Sequence, residues 1–478
     1  MLMIGVSTEQ NSSNLVPAIQ LGISSFMPIE TSRANGEGWS TGLIQVMQSH
    51  SIRVTEPVIL KSDQDSRIDE IIRVVRQRLP TSEPVIWCLG GGQKPQQLAC
   101  WQLFLGRNQA GIPDRACYAN PVNQQLETWL IFRNEPKLET TTLSVNLTAE
   151  EILTAFNYRL LKTDKSVSIY PVSGLDPVTD FYSNSEFRGW MKAVYSQLPS
   201  STDISLNEFR TLLEKRKPEI RKKVTDFIQL FKKEIGTPKE LNAVFREMET
   251  SIPGKLGNWL TSSFIRDMIT DGSSPDFTVT DPELTRFFGR NQVSVSMEEF
   301  ERLTGMRRPS DYFERSVLNS FQSLIQQEKP SKLSEAIANV EITPVSGKLP
   351  SNAEIDLLIV TTSGQLLSVD AKSYSFDKKD ADARIYNLQK AGGRFGKLIA
   401  VIPFYFADLD SDAMDRQIQL LPNDLQMKNI PFYAMTDSQE PVTLWMTGSK
   451  GITREESPGF PQVQIRPLNS FFRSERLI

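Results

Sequence analysis

The sequence predicts an α/β protein of two or three domains, and three observations support this. Residues 1–135 alternate short apolar runs with segments of helical periodicity, a pattern typical of a parallel sheet covered by helices. Residues 352–374 predict a pair of strands that carries charged side chains. The chain has 478 residues, which exceeds what one hydrophobic core of ordinary size holds.

The N-terminal part alternates predicted strands with predicted helices. The strands are Leu2–Val6, Phe26–Ile29, Val54–Leu60 and Val85–Leu89. The helices are Leu15–Leu21, Thr41–Gln48, Ser66–Arg78 and Pro95–Leu105. This order predicts a Rossmann-like domain over residues 1–135. No GxGxxG motif follows the first strand, so a dinucleotide-dependent dehydrogenase is a weak interpretation.

Residues 136–304 predict a linker followed by a helical middle segment, and residues 305–478 predict the C-terminal domain. The middle segment is locally basic, with lysines and arginines at Lys215, Arg216, Lys217, Arg221, Lys222, Lys223, Lys232 and Lys233. Apolar residues recur there at helical spacing. Two interpretations stay open, an amphipathic helix with a solvated basic face and a surface that contacts nucleic acid.

Composition excludes several function classes. The net charge is −4, so any contact with nucleic acid depends on a local basic patch. The chain has one histidine, His50, and three cysteines without CxxC spacing, which excludes histidine-based hydrolysis and a structural zinc site. No apolar run approaches the roughly 18 residues of a membrane span, and no signal peptide is expected. We therefore expect a cytoplasmic protein.

The chemistry-bearing segment is NAEIDLLIVTTSGQLLSVDAKSY, residues 352–374. It predicts strands Glu354–Thr361 and Leu366–Ser373, joined by a turn at Ser363–Gly364. Residues two apart on a strand share a face, so Glu354 lies beside Asp356, and Asp370 beside Lys372. The opposite faces are apolar, with Ile355, Leu357 and Ile359 on one strand and Leu367, Val369 and Ala371 on the other.

Two carboxylates and a lysine on adjacent strands favour a metal site. Buried carboxylates are costly unless they are neutralised, and Mg²⁺ or Mn²⁺ takes hard oxygen ligands while keeping several waters. Such a metal polarises a phosphodiester and lowers the pKa of a bound water, and Lys372 would assist that nucleophile. The alternative is a surface hairpin with ordinary charges.

The arrangement resembles the PD-(D/E)xK nuclease superfamily, with Asp356 at the first acidic position and Asp370-Ala371-Lys372 as the (D/E)xK element. The superfamily usually adds an acidic residue from a preceding helix. Glu314 in SDYFERSVLNSFQSL fits that role, so the implied metal ligands are Glu314, Asp356 and Asp370. The alternative for Glu314 is a capping box with Asp311 at the N-cap.

The segment after Lys372 carries a narrower resemblance. Asp380–Gln389 predicts a helix that leads through GGRFGK into a strand, Leu398–Phe404. This order is similar to the nuclease half of CRISPR-associated effectors in which a CARF sensor domain precedes the nuclease. Three polar residues there are candidates for phosphate contact or for simple helix-end solvation: Gln389, Lys390 and Arg394.

CARF domains are Rossmann-like dimers that bind cyclic oligoadenylates, and two loops here match their ligand loops. The candidate ligand residues are Ser7, Thr8, Gln10 and Asn14 after the first strand, and Gly90, Gly91, Gly92, Gln93 and Lys94 after VIWCL. Glycines permit close backbone approach, and the free N–H groups of a helix N-terminus attract phosphate. The alternative is a glycine-rich turn without a ligand.

The resemblance implies a homodimeric nuclease that is activated by a cyclic oligoadenylate, most simply cyclic tetra-adenylate. The expected substrate is nucleic acid of little sequence preference, single-stranded RNA or DNA or nicked duplex. Two alternatives remain open. One is a restriction- or repair-type nuclease that needs no nucleotide, and the other is a nucleotide-binding regulator with an inactive nuclease half.

Overall fold

A computed structural model describes most of both predicted α/β domains. The described residues are 1–9, 11–133, 135–171, 184–196, 297–305, 309–345, 353–371, 388, 391–393, 396–405, 430–436, 438–446, 452–453, 456–459 and 462–478. The predicted basic run at 215–233 lies outside them.

The first sheet has eight strands. They are β1 Leu2–Val6, β2 Ser25–Thr31, β3 Arg53–Val54, β4 Val58–Leu60, β5 Val85–Cys88, β6 Arg115–Asn120, β7 Gln125–Phe132 and β8 Glu135–Thr142. Their order is β3-β2-β1-β5-β6-β7-β8, with β4 beside β2. Strands β1 to β6 pair in parallel, and β7 and β8 are antiparallel. The parallel α/β sheet is confirmed, although the predicted strand 54–60 is two short strands.

Helices cover both faces of this sheet. They are α1 Ser12–Gln20, α2 Ser32–Gly36, α3 Ser40–Ser49, α4 Ile68–Arg76 and α5 Lys94–Gln109. The apolar sides of α1 and α3 pack on one face, and those of α4 and α5 pack on the other. The chain winds outward from β1 and then returns to β5 on the opposite side of β1. In doubly wound sheets, the crevice at such a switch point is where ligands bind.

The second sheet has nine strands. They are β9 Tyr158–Tyr170, β10 Leu333–Pro344, β11 Ala353–Thr361, β12 Leu366–Ala371, β13 Gly396–Tyr405, β14 Phe432–Thr436, β15 Val442–Met446, β16 Ile452–Thr453 and β17 Gln462–Pro467. Their order is β16-β15-β17-β14-β13-β12-β11-β10-β9. Strands β9 to β12 are antiparallel, and β12, β13, β14 and β17 are parallel.

The remaining described helices lie around the two sheets. They are α6 Ala149–Ala155, α7 Ser185–Ser196, α8 Met297–Thr304, α9 Pro309–Glu328, a 3-10 turn Leu468–Ser470 and α10 Phe471–Ser474. The predicted helix near Pro309 is thus present. Its buried stripe, including Phe313, Val317 and Phe321, packs against Leu367 and Val369 of β12 in a core on one face of the second sheet.

The other face of the second sheet shares a hydrophobic core with the first domain. This shared core joins Leu15 and Val16 of α1 to Leu358 and Val360 of β11 and Leu366 of β12. The first sheet extends beyond residue 135 to Thr142, and the second sheet begins at Tyr158, so residues 143–157 connect them directly. The boundaries proposed at 135 and 304 stay predictions.

The turn between β11 and β12 is fastened to the first domain at its tip. Gly364 has φ +78°, and a Cβ placed on it would lie 2.6 Å from Cγ2 of Val16. The Val145 N–H donates to the Thr362 carbonyl at 2.5 Å. Nε2 of Gln365 donates to the Pro121 carbonyl at 2.8 Å. The predicted turn at residues 363–364 is therefore also an interdomain contact.

We expect Gly364→Ala to destabilise the protein more than Gly111→Ala. Both glycines have positive φ, but a Cβ at Gly111 has no neighbour within 4 Å. The left-handed backbone costs roughly 1–2 kcal/mol in each variant. The collision with Val16 adds about 1–3 kcal/mol in Gly364→Ala alone. Urea unfolding measures both, and Val16→Ala should recover part of the Gly364→Ala loss. Equal losses in the two alanine variants would contradict the contact.

Candidate functional site

An acidic pair lies on the hairpin of β11 and β12. The strands are antiparallel, with Leu357 opposite Val369. Continuing this register by one pair places Asp356 opposite Asp370, where side chains on adjacent strands are about 4.5–5.5 Å apart at Cβ. Consistent with this, the Ala371 N–H donates to Oδ2 of Asp356 at 2.7 Å. The structure therefore places Asp356 and Asp370 next to each other on the two strands that the sequence predicts.

The two aspartates differ in burial. Asp370 is 1% exposed, whereas Asp356 is half-buried. A buried ionised carboxylate loses its hydration, and this cost must be offset by a cation or by strong hydrogen-bond donors. One oxygen of Asp356 already accepts the Ala371 N–H. The pair thus concentrates negative charge at the C-terminal end of β12, where parallel β13 lies beside it.

The apolar faces of the hairpin differ from the predicted pattern. Leu357 and Ile359 pack in the core under α9, but Ile355 packs in the shared core with the first domain. Ile355 pairs with Val340 and Leu357 with Ala338, and Asn339 between those partners has φ +53°. A left-handed residue breaks the simple alternation of faces, so the predicted single face of Ile355, Leu357 and Ile359 is wrong.

Glu314, Glu354 and Lys372 are the remaining candidates in this domain. Glu314 is half-buried on α9, next to Phe313, which is 2% exposed. Because α9 begins at Pro309, Asp311 lies inside its first turn, so the capping-box alternative with Asp311 at the N-cap is wrong. Glu354 is exposed and pairs with Glu341 of β10. Lys372 lies outside the described residues.

Gln389, Lys390 and Arg394 also lie outside the described residues. The same holds for Gln10, which follows β1 in the first domain. Their assigned roles stay predictions.

The donor set fits Mg²⁺ or Mn²⁺ on its chemistry. Among the described residues, no group of three His, Cys, Asp or Glu side chains is placed to hold a metal ion. Mg²⁺ is commonly held by one or two carboxylates, with water and substrate phosphate completing its shell. Asp356 and Asp370 supply such a pair: Asp370 is buried, Asp356 is half-buried, and one Asp356 oxygen accepts the Ala371 N–H. A third ligand from Glu314 stays a prediction.

The second candidate site is the crevice between β1 and β5. Ser7 follows β1, and its N–H donates to the Ile29 carbonyl at 2.8 Å. The Ser40 hydroxyl links Oγ of Ser7, at 2.6 Å, to Oε1 of the buried Glu30, at 2.5 Å. Ser7 is itself 2% exposed. Sequence reasoning missed Glu30 and Ser40, because only the sheet order brings them to the end of β1.

Contacts within the first domain explain why Asn14 is buried and why residues 90–92 are glycines. Asn14 is fully buried, and its Nδ2 donates to the Val6 carbonyl at 2.9 Å. A Cβ on Gly91 would lie 2.2 Å from the Val6 carbonyl oxygen, and one on Gly90 would lie 2.9 Å from Cβ of Ser13. Gly92 has φ +88°. These residues pack the turn against β1 and α1, so their glycine identity is explained without a ligand.

The solvent-facing groups of the crevice are few. Gln93 and Lys94 are exposed at the start of α5, and Thr8 is half-buried. Gln93 and Gln96 form a reciprocal capping box, in which the Gln93 N–H donates to Oε1 of Gln96 at 2.5 Å. The N-terminus of a 16-residue helix favours an anion, and Lys94 adds a positive charge there. A phosphate ligand would meet these groups first.

Other polar residues have structural environments. Nε2 of His50 lies 2.7 Å from Oε1 of Glu151, which caps α6. The three cysteines are free thiols and are buried, and burial raises the pKa of Cys100 to about 12. None of the described helices has the length and apolar character needed to cross a membrane.

No protein-family model matches this chain, and no curated protein sequence matches it. Solved structures do match at low identity. Can2 from Sulfobacillus thermosulfidooxidans, in complex with cyclic tetra-adenylate, is 15% identical, with a TM-score of 0.45 over 87% of this chain and 93% of that one. Protein VC1899 from Vibrio cholerae is 15% identical, with a TM-score of 0.48 over 88% and 93%.

A third structure is a type III CRISPR defence DNA nuclease activated by cyclic oligoadenylate. It is 11% identical, with a TM-score of 0.43, and the match covers 92% of this chain and 48% of that one. Identities and TM-scores at these levels are too low to establish an activity. The function is therefore inferred from the residues of the two sites.

We expect Mn²⁺ to stabilise the wild-type chain and not the Asp370→Asn variant. A ligand that binds only the folded state at 100 times its Kd stabilises by about 2.7 kcal/mol. Asparagine keeps the shape of Asp370 but removes the charge that attracts the cation. Thermal unfolding with and without Mn²⁺ measures this difference. Asp311→Asn, which removes an exposed carboxylate on α9, should respond to Mn²⁺ like the wild type. An unchanged Mn²⁺ response in Asp370→Asn would exclude the acidic pair as the metal site.

Proposed function

We propose that this chain is a metal-dependent nuclease of the PD-(D/E)xK type. The observation that carries the proposal is the pairing of Asp356 with the buried Asp370 on adjacent antiparallel strands. Lys372 follows Asp370 by two residues, at the lysine position of the motif. The order of elements supports the same type, since α9 precedes β10, β11 and β12, and β12 then pairs in parallel with β13.

Asp356 and Asp370 would hold Mg²⁺ or Mn²⁺, and Glu314 would join them as a third ligand only if α9 moved it closer, since the structure does not group the three. A bound divalent ion would polarise the phosphodiester and increase the acidity of a water. The Ala371 N–H orients Asp356 by holding one of its oxygens. Burial of Asp370 lowers the local dielectric, which strengthens its attraction for a cation. Lys372 would orient the attacking water or stabilise the developing charge, and Glu354 would act at the exposed rim.

The substrate that this chemistry implies is nucleic acid with little sequence preference. Hydrolysis at this site needs only the phosphodiester, which single-stranded RNA, single-stranded DNA and nicked duplex all present. Phosphate contacts position a strand without reading its sequence. Sequence preference would require groups that read base edges.

We further propose that the first domain is a CARF-type sensor for a cyclic oligoadenylate, with cyclic tetra-adenylate as the expected activator in type III CRISPR antiviral defence. The β1–β5 crevice lies at the switch point of a doubly wound sheet, and α5, which follows β5, begins with the exposed Lys94. In the proposed homodimer, one cyclic ligand would contact the crevices of both copies. Binding energy that differs between resting and active arrangements is what would shift the nuclease halves.

One observation favours the simpler alternative, a nuclease that needs no nucleotide. Close packing against Val6 and Ser13 already explains the glycine turn. A cleavage assay with Mn²⁺ on RNA and DNA, with and without cyclic oligoadenylates, separates the two proposals. Stimulation by the nucleotide supports the sensor, and full activity without it supports the alternative.

We expect Lys372→Ala to lower the cleavage rate by at least about 100-fold while the Mn²⁺ stabilisation persists. Loss of a group that assists proton transfer typically costs about 10²–10⁴-fold in rate. The lysine is not a metal ligand, so unfolding experiments with Mn²⁺ should match the wild type. Asp370→Asn is the contrasting variant, because it should lose both. Near-wild-type cleavage in Lys372→Ala at saturating Mn²⁺ would remove the lysine from the mechanism.

We expect Lys94→Ala to weaken binding of cyclic tetra-adenylate by about ten-fold, which corresponds to roughly 1.4 kcal/mol. Lys94 is the exposed cation at the start of α5. Lys94→Ala suits this test better than a bulky change at Gly91, because a side chain there would collide with the Val6 carbonyl. Calorimetry measures the affinity.

Lys165→Ala provides the control for Lys94→Ala. Lys165 is an exposed lysine in β9 of the second sheet, away from β1, β5 and the start of α5. Basal cleavage without nucleotide should be unchanged in both variants. Equal affinities in the two variants would move the ligand site away from the start of α5.

A further inference from the structure

The outer strand of the first sheet presents an uncovered edge. Strand β8 ends the sheet order, and all eight of its residues, Glu135–Thr142, are exposed. Within the described part of the chain, no strand pairs with its outer side. Leu138 in its middle is 49% exposed, and Phe132 at the hairpin end is 60% exposed. An exposed strand edge with an apolar centre is a template for pairing with another strand.

The hairpin geometry fixes which backbone groups point outward. Phe132 pairs with Glu135 across a two-residue turn, in which Arg133 has φ +53°. The closing pair of such a hairpin exchanges both backbone hydrogen bonds, and bonded pairs then alternate along the ladder. The N–H and C=O groups of residues 136, 138, 140 and 142 therefore point away from β7. Pro136, which has no N–H, occupies an outward position, where proline is tolerated in edge strands.

The two faces of β8 differ in character. Leu138 pairs with Trp129 of β7, whose ring lies edge-on to Trp101 of α5, 6.0 Å between centroids. This face is apolar. Lys137 and Glu139 lie on the opposite face, and their side chains form an exposed ion pair at 3.1 Å. The strand thus has an apolar residue at its centre and opposite charges on either side of it.

We propose that β8 pairs antiparallel with β8 of a second copy of this chain, about a two-fold axis at Leu138. In this register, Leu138 lies opposite Leu138 of the second copy, and Lys137 lies opposite its Glu139. Leu138 exchanges both backbone hydrogen bonds with its counterpart, and the Thr140 N–H meets the Pro136 carbonyl. The Thr140 carbonyl gains no bond, because Pro136 has no N–H. Opposite charges directly across a strand pair are favourable, and like charges are unfavourable.

The neighbouring registers are less favourable. A shift by one residue in one direction sets Lys137 against itself, and a shift in the other direction sets Glu139 against itself. An axis at Thr140 avoids like charges but leaves both charged residues without an opposite charge across the pair. An axis at Pro136 also sets Lys137 opposite a glutamate, Glu135, but it places two prolines, which have no N–H, at the central bonded pair. Charge and backbone hydrogen bonding together therefore select the axis at Leu138. Because Lys137 is neutralised by Glu139, the edge is not protected by net repulsion.

This contact is independent of the proposed nuclease and sensor functions. Strand β8 is separated from β5 by β6 and β7, so pairing there leaves the β1–β5 crevice open. One pair of strands buries an area at the low end for specific interfaces, under about 1,200 Å². The assembly should accordingly depend on protein concentration.

Cysteine cross-linking of the full-length chain tests the register. Opposite residues in an antiparallel pair have Cα atoms about 4.5–5.5 Å apart, within the 4.4–6.8 Å range of disulfides. We expect Leu138→Cys to form a disulfide-linked dimer under mild oxidation. Thr140→Cys should not, because two copies of residue 140 would be offset by about 14 Å along the strands. The native cysteines are buried and do not compete. Absence of a dimer with Leu138→Cys, or equal cross-linking at Thr140→Cys, would overturn the proposal.

A charge exchange in the Leu138→Cys background tests the same register. Lys137→Glu sets glutamates opposite Glu139 of the second copy, and Glu139→Lys sets lysines opposite Lys137. We expect each single variant to lower the yield of the Leu138→Cys dimer at least about five-fold, and the double variant to restore it. This readout reports β8 alone, so the proposed sensor homodimer does not contribute to it. Both side chains are half or more exposed, so the melting temperature should stay close to that of the Leu138→Cys parent. A yield that is insensitive to the single variants would contradict the pairing.

Discussion

The hairpin of β11 and β12 is held between two different hydrophobic cores, and the candidate active site depends on this. On one side, Leu357 and Val369 pack under α9. On the other side, Leu358, Val360 and Leu366 pack in the core shared with the first domain. Asp356 and Asp370 project from a hairpin that is buried on both faces. Because both faces are fixed, the spacing of the two carboxylates follows from strand register and not from flexible loops.

Helix α1 contacts both the end of β1 and the tip of the β11–β12 turn, and Asp370 lies six residues beyond Gly364, roughly 20 Å along the strand. Asn14 on this helix donates to the Val6 carbonyl at the end of β1, and Val16 lies against Gly364 at the tip of the β11–β12 turn. Two residues of one helix rise by only about 3 Å along its axis. A rearrangement at the end of β1 that moves α1 therefore moves the tip of the hairpin as well. Under the proposed activation, this contact would carry a movement of α1 to the tip of the hairpin.

The sequence allowed much of the architecture and the acidic pair to be predicted. Alternation along a strand and a single turn are local properties, so the two predicted strands and the turn at residues 363–364 placed Asp356 near Asp370 without tertiary information. What failed depended on contacts distant in sequence. The burial of Ser7 and Asn14, the Glu30–Ser40 link and the change of face at Ile355 arise from sheet order and from a left-handed residue on a neighbouring strand. A local sequence pattern does not predict these three features.

The burial of Asp370 bears on whether the hairpin is merely structural. Leu367 and Val369 on the same strand show that β12 is built for an apolar environment. An ionised carboxylate at position 370 loses hydration there, and replacing buried ion pairs with apolar residues of similar volume is often neutral or stabilising. The cost of burying Asp370 must therefore be offset within the fold or by a bound ion. Placing a second carboxylate opposite the first raises the electrostatic cost again. In the proposed function, a bound divalent cation would offset this cost, which connects the burial of Asp370 to the proposed metal-dependent reaction.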